Sequence, residues 1–343
     1  MITVFDDAQR AHDPHFFLSS GAPFPCPEKP ARIDALLGAV RRMGLTVVAP
    51  PDAGMGPIGA VHPDRYLTFL EHIHARWQRI EGASVEVIPN IHPDSRDAGY
   101  PRSAVGQAGF HMTDTSCPIS GQTWGAALAS AQTAIHATDL VLAGEGAAYA
   151  LCRPPGHHAF AESAGGFCYL NNSAIAAERL RAAGRRVAVL DVDLHHGNGT
   201  QGIFYDRGDV LTVSVHADPV RFYPFFWGYA NETGRGEGEG ANLNLPLERG
   251  TGDEGFLAAL DKGLQKITDF GVDSLVLALG LDAFEGDPFA GLRVTTRGFA
   301  RIGRAVAGLG LPTVIVQEGG YLCPELGDNL EAVLKMSHSG TLA

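Results

Sequence analysis

The sequence predicts an α/β protein: a mainly parallel central sheet with helices on both faces, in a single domain spanning 1–343. Three observations carry this. Short, largely apolar runs recur at 147–151, 187–190, 210–215, 274–279 and 313–316, the pattern of strands buried on both faces. Helical spacing falls between or after most of them, at 171–183, 253–270, 296–308 and 326–334, and such alternation builds parallel sheets. Each of the five runs also leads into polar, reactive residues at its carboxyl end, where ligands gather in open α/β sheets.

The remaining elements follow in order. Residues 1–5 read as a first strand. A Pro- and aromatic-rich stretch at 12–28 has no periodicity, and a loop of that length is usually functional or interfacial. Residues 30–43 are helical and 46–48 form a short strand. Residues 63–79 form another amphipathic helix, with Pro63 where a first turn tolerates proline. From 85 to 121 the pattern dissolves into a second long polar loop. Residues 124–142 are Ala-rich and helical. No repeat, low-complexity tract or linker divides the chain.

Composition narrows the class. Hydrophobic content of 45% supports a sizeable core, and 43 glycines with 21 prolines make it loop-rich. The net charge of −12 comes without a basic block, which argues against nucleic acid and is compatible with a cationic ligand. Five cysteines (Cys26, Cys117, Cys152, Cys168 and Cys323) include no C-x-x-C pair and read as reduced thiols. The first residues lack a secretory pattern, and no run reaches the roughly 18 apolar residues of a membrane span. The expectation is a soluble, cytoplasmic protein with no membrane partner.

The functional reading centres on V-A-V-L-D-V-D-L-H-H-G-N-G-T at 187–200. Strand alternation puts Asp191 and Asp193 on one side, and His195 joins them once the strand gives way to a turn. With Asp282 after the 274–279 strand, Asp193 and His195 make a candidate metal site of two carboxylates and one imidazole. Such a set leaves positions open for water and substrate, whereas structural zinc prefers four closed Cys/His ligands. His157 and His158, in tandem after Pro154-Pro155-Gly156, read as an acid/base pair beside the metal. Asp191 is a natural partner for one of them, and Asn198 could orient the other without adding charge. Tyr321, tethered by Gly319 and Gly320, could donate its hydroxyl to an oxyanion.

These residues resemble the histone deacetylase superfamily. The matching motifs are R-P-P-G-H-H at 153–158, G-G-F-C-Y-L-N-N at 165–172, D-V-D-L-H-H-G-N-G-T at 191–200, L-D-A-F at 281–284 and E-G-G-Y at 318–321. Within it, H-A-D-P-V-R-F-Y-P-F-F-W-G-Y-A at 216–230 is similar to the bacterial acetylpolyamine amidohydrolases. So are the Glu28-Lys29-Pro30-x-Arg32 approach to the first helix and the long loop before Trp124. The resemblance implies an arginase/deacetylase-like fold with about eight strands. It implies zinc, or iron(II) in the cell, on Asp193, His195 and Asp282. His158 would be the general base, His157 a mainly electrostatic partner of Asp191, and Tyr321 the group that polarises the amide carbonyl. A structural potassium ion is implied at Asp191, Asp193, His195, Ser214 and Val215. Gly166 and Phe167 would form the channel wall, with Tyr223 facing them. Asn198 departs from the histone-directed members, which carry Asp there.

The activity so implied is removal of acetyl or short acyl groups from N-acetylpolyamines or similar small amines by a homodimer. The loops at 12–28 and 85–121 would restrict the active-site mouth. Asp114 and Glu28 are candidate carboxylates for the distal ammonium of such a small cationic substrate. Deacylation of acyl-lysine peptides is the alternative. An arginase-like dimanganese hydrolase is disfavoured because the D-A-H-x-D signature is missing. A catalytically silent binding protein is disfavoured because the base and Tyr321 are both in place.

Overall fold

In the computed structural model the buried runs pair edge to edge into one parallel sheet, of eight strands among the described residues, which are 1–95, 97 and 99–339. The chain begins β1 (Ile2–Val4), β2 (Phe16–Ser19), β3 (Ala22–Pro25), α1 (Ala31–Arg42), β4 (Thr46–Val48), α2 (Gly56–Gly59), α3 (Asp64–Trp77), α4 (Ala104–His111) and α5 (Thr123–Leu142). It continues β5 (Ala147–Ala150), α6 (Asn172–Ala182), β6 (Val187–Asp191), α7 (Asn198–Phe204), β7 (Val210–Ala217) and β8 (Asn242–Leu247). Then come α8 (Asp253–Phe270), β9 (Ser274–Leu279), α9 (Thr296–Ala307), β10 (Thr313–Gln317) and α10 (Leu326–Ser339). The strand order is β4-β1-β5-β10-β9-β6-β7-β8, and every neighbouring pair is parallel.

Alternation along the central strands divides the core in two. Val187, Val189, Val276, Val314 and Val316 face a layer that includes α3, α5 and α6. Ala188, Leu190, Leu275, Leu277 and Ile315 face the opposite layer, which includes α1, α8, α9 and α10. Because each strand is buried on both sides, it reads in sequence as a continuous apolar run. Side-chain caps fix where helices begin: Asn171 accepts from the Ala174 N–H at 2.8 Å and Thr295 from the Gly298 N–H at 3.0 Å.

Several stretches differ from the sequence reading, the short helices α2 and α7 among them. The 12–28 loop contains the antiparallel hairpin β2–β3, turned at Ser20 and Gly21, whose φ values of 51° and 81° suit a tight two-residue turn. Pro23 and Pro25 mask its strand pattern. The 85–121 loop contains α4, capped by Ser103, and a bridge between Val87 and Ile119. Arg96 and Ala98 of that stretch, and 340–343 of the expected domain, lie outside the described residues. Strand β8 escapes detection because Pro246 interrupts it. At a sheet edge the missing N–H is tolerated. No described helix is long and apolar enough to cross a membrane.

β5, β10, β9 and β6 are neighbours in the sheet, so the segments after them emerge side by side. Those segments hold nearly all the reactive residues singled out above.

Candidate active site

The end of β6 is built from aspartates that cap their own chain. Asp191 Oδ1 accepts the Asp193 N–H at 3.0 Å, and Asp193 Oδ1 accepts the His195 N–H at 2.9 Å. These successive turns fold His195 back beside Asp193. Asp282, from the turn after β9, accepts the Leu194 N–H at 2.9 Å. His195 Nδ1 then lies 3.3 Å from Asp193 Oδ1 and 3.1 Å from Asp282 Oδ2. One donor atom from each of the three residues falls within 4.8 Å of the others, and all three residues are buried. Burial, together with the neighbouring Asp193 charge, pushes the Asp282 carboxyl up to about 6. Two buried carboxylates that resist ionising together are the electrostatic mark of a cation site, and their donor set suits a divalent transition metal.

The tandem histidines are split in charge. His157 Nδ1 is 2.9 Å from Asp191 Oδ2. Burial opposes its charged form, but Asp193 and Asp191 outweigh burial and lift it to about 10. His158 goes the other way: burial, then the positive charges of His157 and His195, hold it well below the ordinary histidine value. Its Nδ1 is 2.7 Å from Asn198 Oδ1, so that nitrogen carries the proton and Nε2 keeps a lone pair. The two imidazoles, one held charged and one neutral, lie with their rings 4.0 Å apart, an arrangement that can separate an electrostatic from a proton-accepting function. The loop that carries them is fastened by Glu318. Its carboxylate accepts the Gly156 and His157 N–H groups at 2.6 and 3.0 Å and the Ser173 hydroxyl at 2.6 Å.

Tyr321 arrives over a glycine pair that approaches the other carboxylates closely. A Cβ on Gly319 would sit 2.4 Å from Asp193 Oδ2 and 2.5 Å from Asp282 Oδ2, so only glycine fits. The Arg32 guanidinium lies 5.0 Å from the centre of the Tyr321 ring and donates to the Gly320 and Glu318 carbonyls at 2.6 and 2.7 Å.

These groups line a cavity of about 940 Å³ with walls of Phe17, Phe167, Tyr223, Phe289 and Tyr321. The Tyr223 ring stands edge-on to His158 at 4.7 Å. Gly166, at φ 49°, leaves no room for a side chain, since a Cβ there would meet the His158 ring at 2.4 Å. Asp114 ties the two walls together. Its Oδ2 accepts the Tyr223 hydroxyl at 2.6 Å and the Gly166 N–H at 3.2 Å, and its Oδ1 accepts the Ser116 N–H at 2.7 Å.

The histone deacetylase domain model matches residues 26–337. The chain belongs to that family. The acetylpolyamine amidohydrolase of Burkholderia pseudomallei is 48% identical over 330 residues, 96% of each chain. Acetylpolyamine amidohydrolase 1 of Pseudomonas aeruginosa is 43% identical over 340 residues, 98% of each. The crystal structure of acetylpolyamine aminohydrolase from Burkholderia pseudomallei superposes with a TM-score of 0.96 at 46% identity, covering 99% of both chains. The chain is thus an amide-bond hydrolase of the histone deacetylase family, whose fold implies a metal cofactor.

Against this family framework, the structure brings Asp193, His195, Asp282, His157, His158, Asp191, Asn198 and Tyr321 into one buried cluster, with Gly166, Phe167, Tyr223 and Asp114 on the cavity. Asp191 and Ser214 are paired across β6 and β7, with Val215 next to Ser214, and the Ser214 hydroxyl is 2.8 Å from His216 Nδ1. Glu28 is a correction. It is wholly buried, 2.6 Å from Arg32 Nη1 and 2.8 Å from Arg153 Nε, and it does not line the cavity, so it cannot meet a substrate ammonium. Sequence reasoning missed Phe17 and Phe289 on the walls, and Glu318 and Asp287 beneath them. Glu318 had a signal, since it opens the E-G-G-Y motif; Phe289 sits in an aperiodic turn and had none.

Proposed function

We propose that this deacetylase removes acetyl or short acyl groups from the terminal amine of N-acetylpolyamines or similar small amines. One divalent metal, zinc or alternatively iron(II), would be held by Asp193, His195 and Asp282. The observation that carries the reading is the convergence of those three buried donors with a neutral His158 and a phenol at the base of an aromatic cavity. The polyamine assignment is supported by the names of relatives at 43% and 48% identity, by the net charge of −12 and by Asp114 on the cavity wall.

When bound, the metal supplies Lewis-acid polarisation and takes up negative charge developing at the amide oxygen. The chain's own residues do the rest. His158 Nε2 accepts a proton from the attacking water and returns it to the departing amine, and Asn198 fixes its tautomer without adding charge. His157, held charged by Asp191, adds positive potential. The Tyr321 hydroxyl donates to the carbonyl oxygen as charge builds there. Phe167 and Tyr223 form a slot that admits a slim acyl–NH–alkyl chain. Asp114, on the cavity wall, offers a carboxylate to a distal ammonium.

The wider assignments are part of the same proposal. A structural potassium ion would sit at Asp191, Asp193, His195, Ser214 and Val215, partly on main-chain oxygens. The enzyme would act in the cytoplasm as one catalytic domain and as a homodimer, without nucleic-acid or membrane partners. Two aromatic side chains that line the cavity, Phe225 and Phe226, are 49% and 85% exposed and offer an apolar face to a second copy. Stretches 12–28 and 85–121 would narrow the mouth.

Parallel assays on N-acetylputrescine, N-acetylspermidine and an acetyl-lysine peptide test the substrate class. The acetylpolyamines should be favoured in kcat/KM by about tenfold or more. Equal or better turnover of the peptide would move the assignment to acyl-lysine deacylation.

A further inference from the structure

Asp287 is a buried carboxylate with no part in the chemistry described so far. It lies in the turn-rich segment beyond Asp282, is 3% exposed, and does not line the cavity. Both of its oxygens are spent on backbone. Oδ2 accepts the Tyr321 N–H at 2.9 Å, and Oδ1 accepts the Phe289 N–H at 2.9 Å. The two residues so fastened pack ring against ring at 4.7 Å, and Phe289 stands edge-on to His195 at 5.1 Å.

The segment that delivers Tyr321 would otherwise be a hinge, with Gly320 at φ 109°. It is stitched residue by residue: the Gly319 N–H to Asp193 at 2.7 Å, the Gly320 carbonyl to Arg32 at 2.6 Å, and the Tyr321 N–H to Asp287. Asp287 is the last tether before the phenol. Burying a carboxylate is costly, and one N–H could be satisfied by a neutral oxygen. A carboxyl group is suited to this place because its two oxygens accept two N–H groups, one from the segment that follows β10 and one from its own turn.

We propose that Asp287 is a positioning residue for deacetylation, its carboxylate setting where Tyr321 presents the hydroxyl over the site. The proposal rests on the reading of Tyr321 as the group that polarises the carbonyl. Asp287 acts through Tyr321 and touches no substrate. A displacement of about 1 Å at such a group costs about 100-fold in rate, so an effect of this order is available to a residue outside the cavity.

The test uses the metal-loaded enzyme and the variants Asp287→Asn, Tyr321→Phe and the two combined. Asparagine keeps the shape but turns an NH₂ toward one of the two N–H groups. Asp287→Asn should lower kcat by about 10- to 100-fold with KM moved less than about threefold. Metal content should be unchanged. Hydrogen exchange of peptides spanning 318–323 should be faster. In the double variant kcat should fall within about twofold of Tyr321→Phe alone, because the two changes remove one function. A further drop as large as that seen in the wild-type background would overturn the proposal, as would unaltered kcat and exchange in Asp287→Asn. If Asp287→Asn does not fold, Asp287→Ser is read by the same criteria. Full turnover by Tyr321→Phe would instead overturn the reading of the site itself, and the role of Asp287 with it.

Discussion

His158→Ala should lose about 10²- to 10⁴-fold of turnover on an acetylated amine while keeping its metal and its fold. The selectivity of that loss follows from where the ring sits. His158 is not one of the three converging donors, so the metal is retained. It lines the cavity, so truncation enlarges a space already open to solvent and leaves no void in the core. Among the described residues its side-chain hydrogen bond is to Asn198, which would be left facing that space. The same geometry sets the sign of the pH dependence. Burial and the charge of His157 hold His158 below its ordinary value of 6.5, so its neutral, proton-accepting form persists into more acid solution. The acid limb of kcat/KM should therefore fall below pH 6.5. Steady-state rates across pH, with metal content on the same samples, check both points. Substantial turnover by the alanine variant, or an acid limb above 6.5 in the wild type, would remove the base assignment.

Glu28→Gln should destabilise the protein by about 3–5 kcal/mol, the usual cost of removing one partner from a buried ion pair. Arg32 and Arg153 are each 1% exposed and share Glu28 Oε1. Glutamine still accepts hydrogen bonds, but it leaves two guanidinium charges uncompensated in the interior. For Glu28, burial disfavours the charged carboxylate, but Arg153 and Arg32 together outweigh it and the net shift is downward. A carboxyl depressed on folding contributes stability that is present above its unfolded value of 4.5 and lost as pH falls through the folded value. The variant should therefore be weaker at neutral pH and approach the wild type in acid. Urea unfolding at pH 7 and at successively lower pH below 4.5 measures the difference. Because Arg32 also holds the Gly320 and Glu318 carbonyls, kcat should fall as well. Equal stability at pH 7 would mean that the network contributes nothing to the fold.

The legible part of this protein was the part where reactive residues follow strands. β5, β6, β9 and β10 each carry an apolar run long enough to recognise, and the residues just beyond them, from Arg153 to Tyr321, fall at one sheet end by sequence pattern alone. What stayed hidden is proximity between segments that have no periodicity. Phe289 and Asp287 lie in a turn-rich stretch, and their relation to Tyr321 is set by packing alone. Glu28 was misread for the same reason. A carboxylate in a polar, Pro-rich stretch gives no sign that two arginines, one of them 125 residues away, will enclose it. The hairpin at Phe16–Pro25 and the edge strand β8 were obscured by proline, which breaks the local pattern but is tolerated where a ladder N–H is not required.

The account depends on Asp193, His195 and Asp282 binding one divalent ion without which acetate is not released. Metal analysis and acetate release from N-acetylputrescine, measured on the same preparations of wild type and Asp282→Ala before and after chelation, test this most directly. The wild type should hold one equivalent of zinc or iron, lose turnover on chelation and regain it on adding zinc, while Asp282→Ala should neither retain the ion nor respond. Undiminished turnover by the metal-free protein, or by Asp282→Ala, would contradict it.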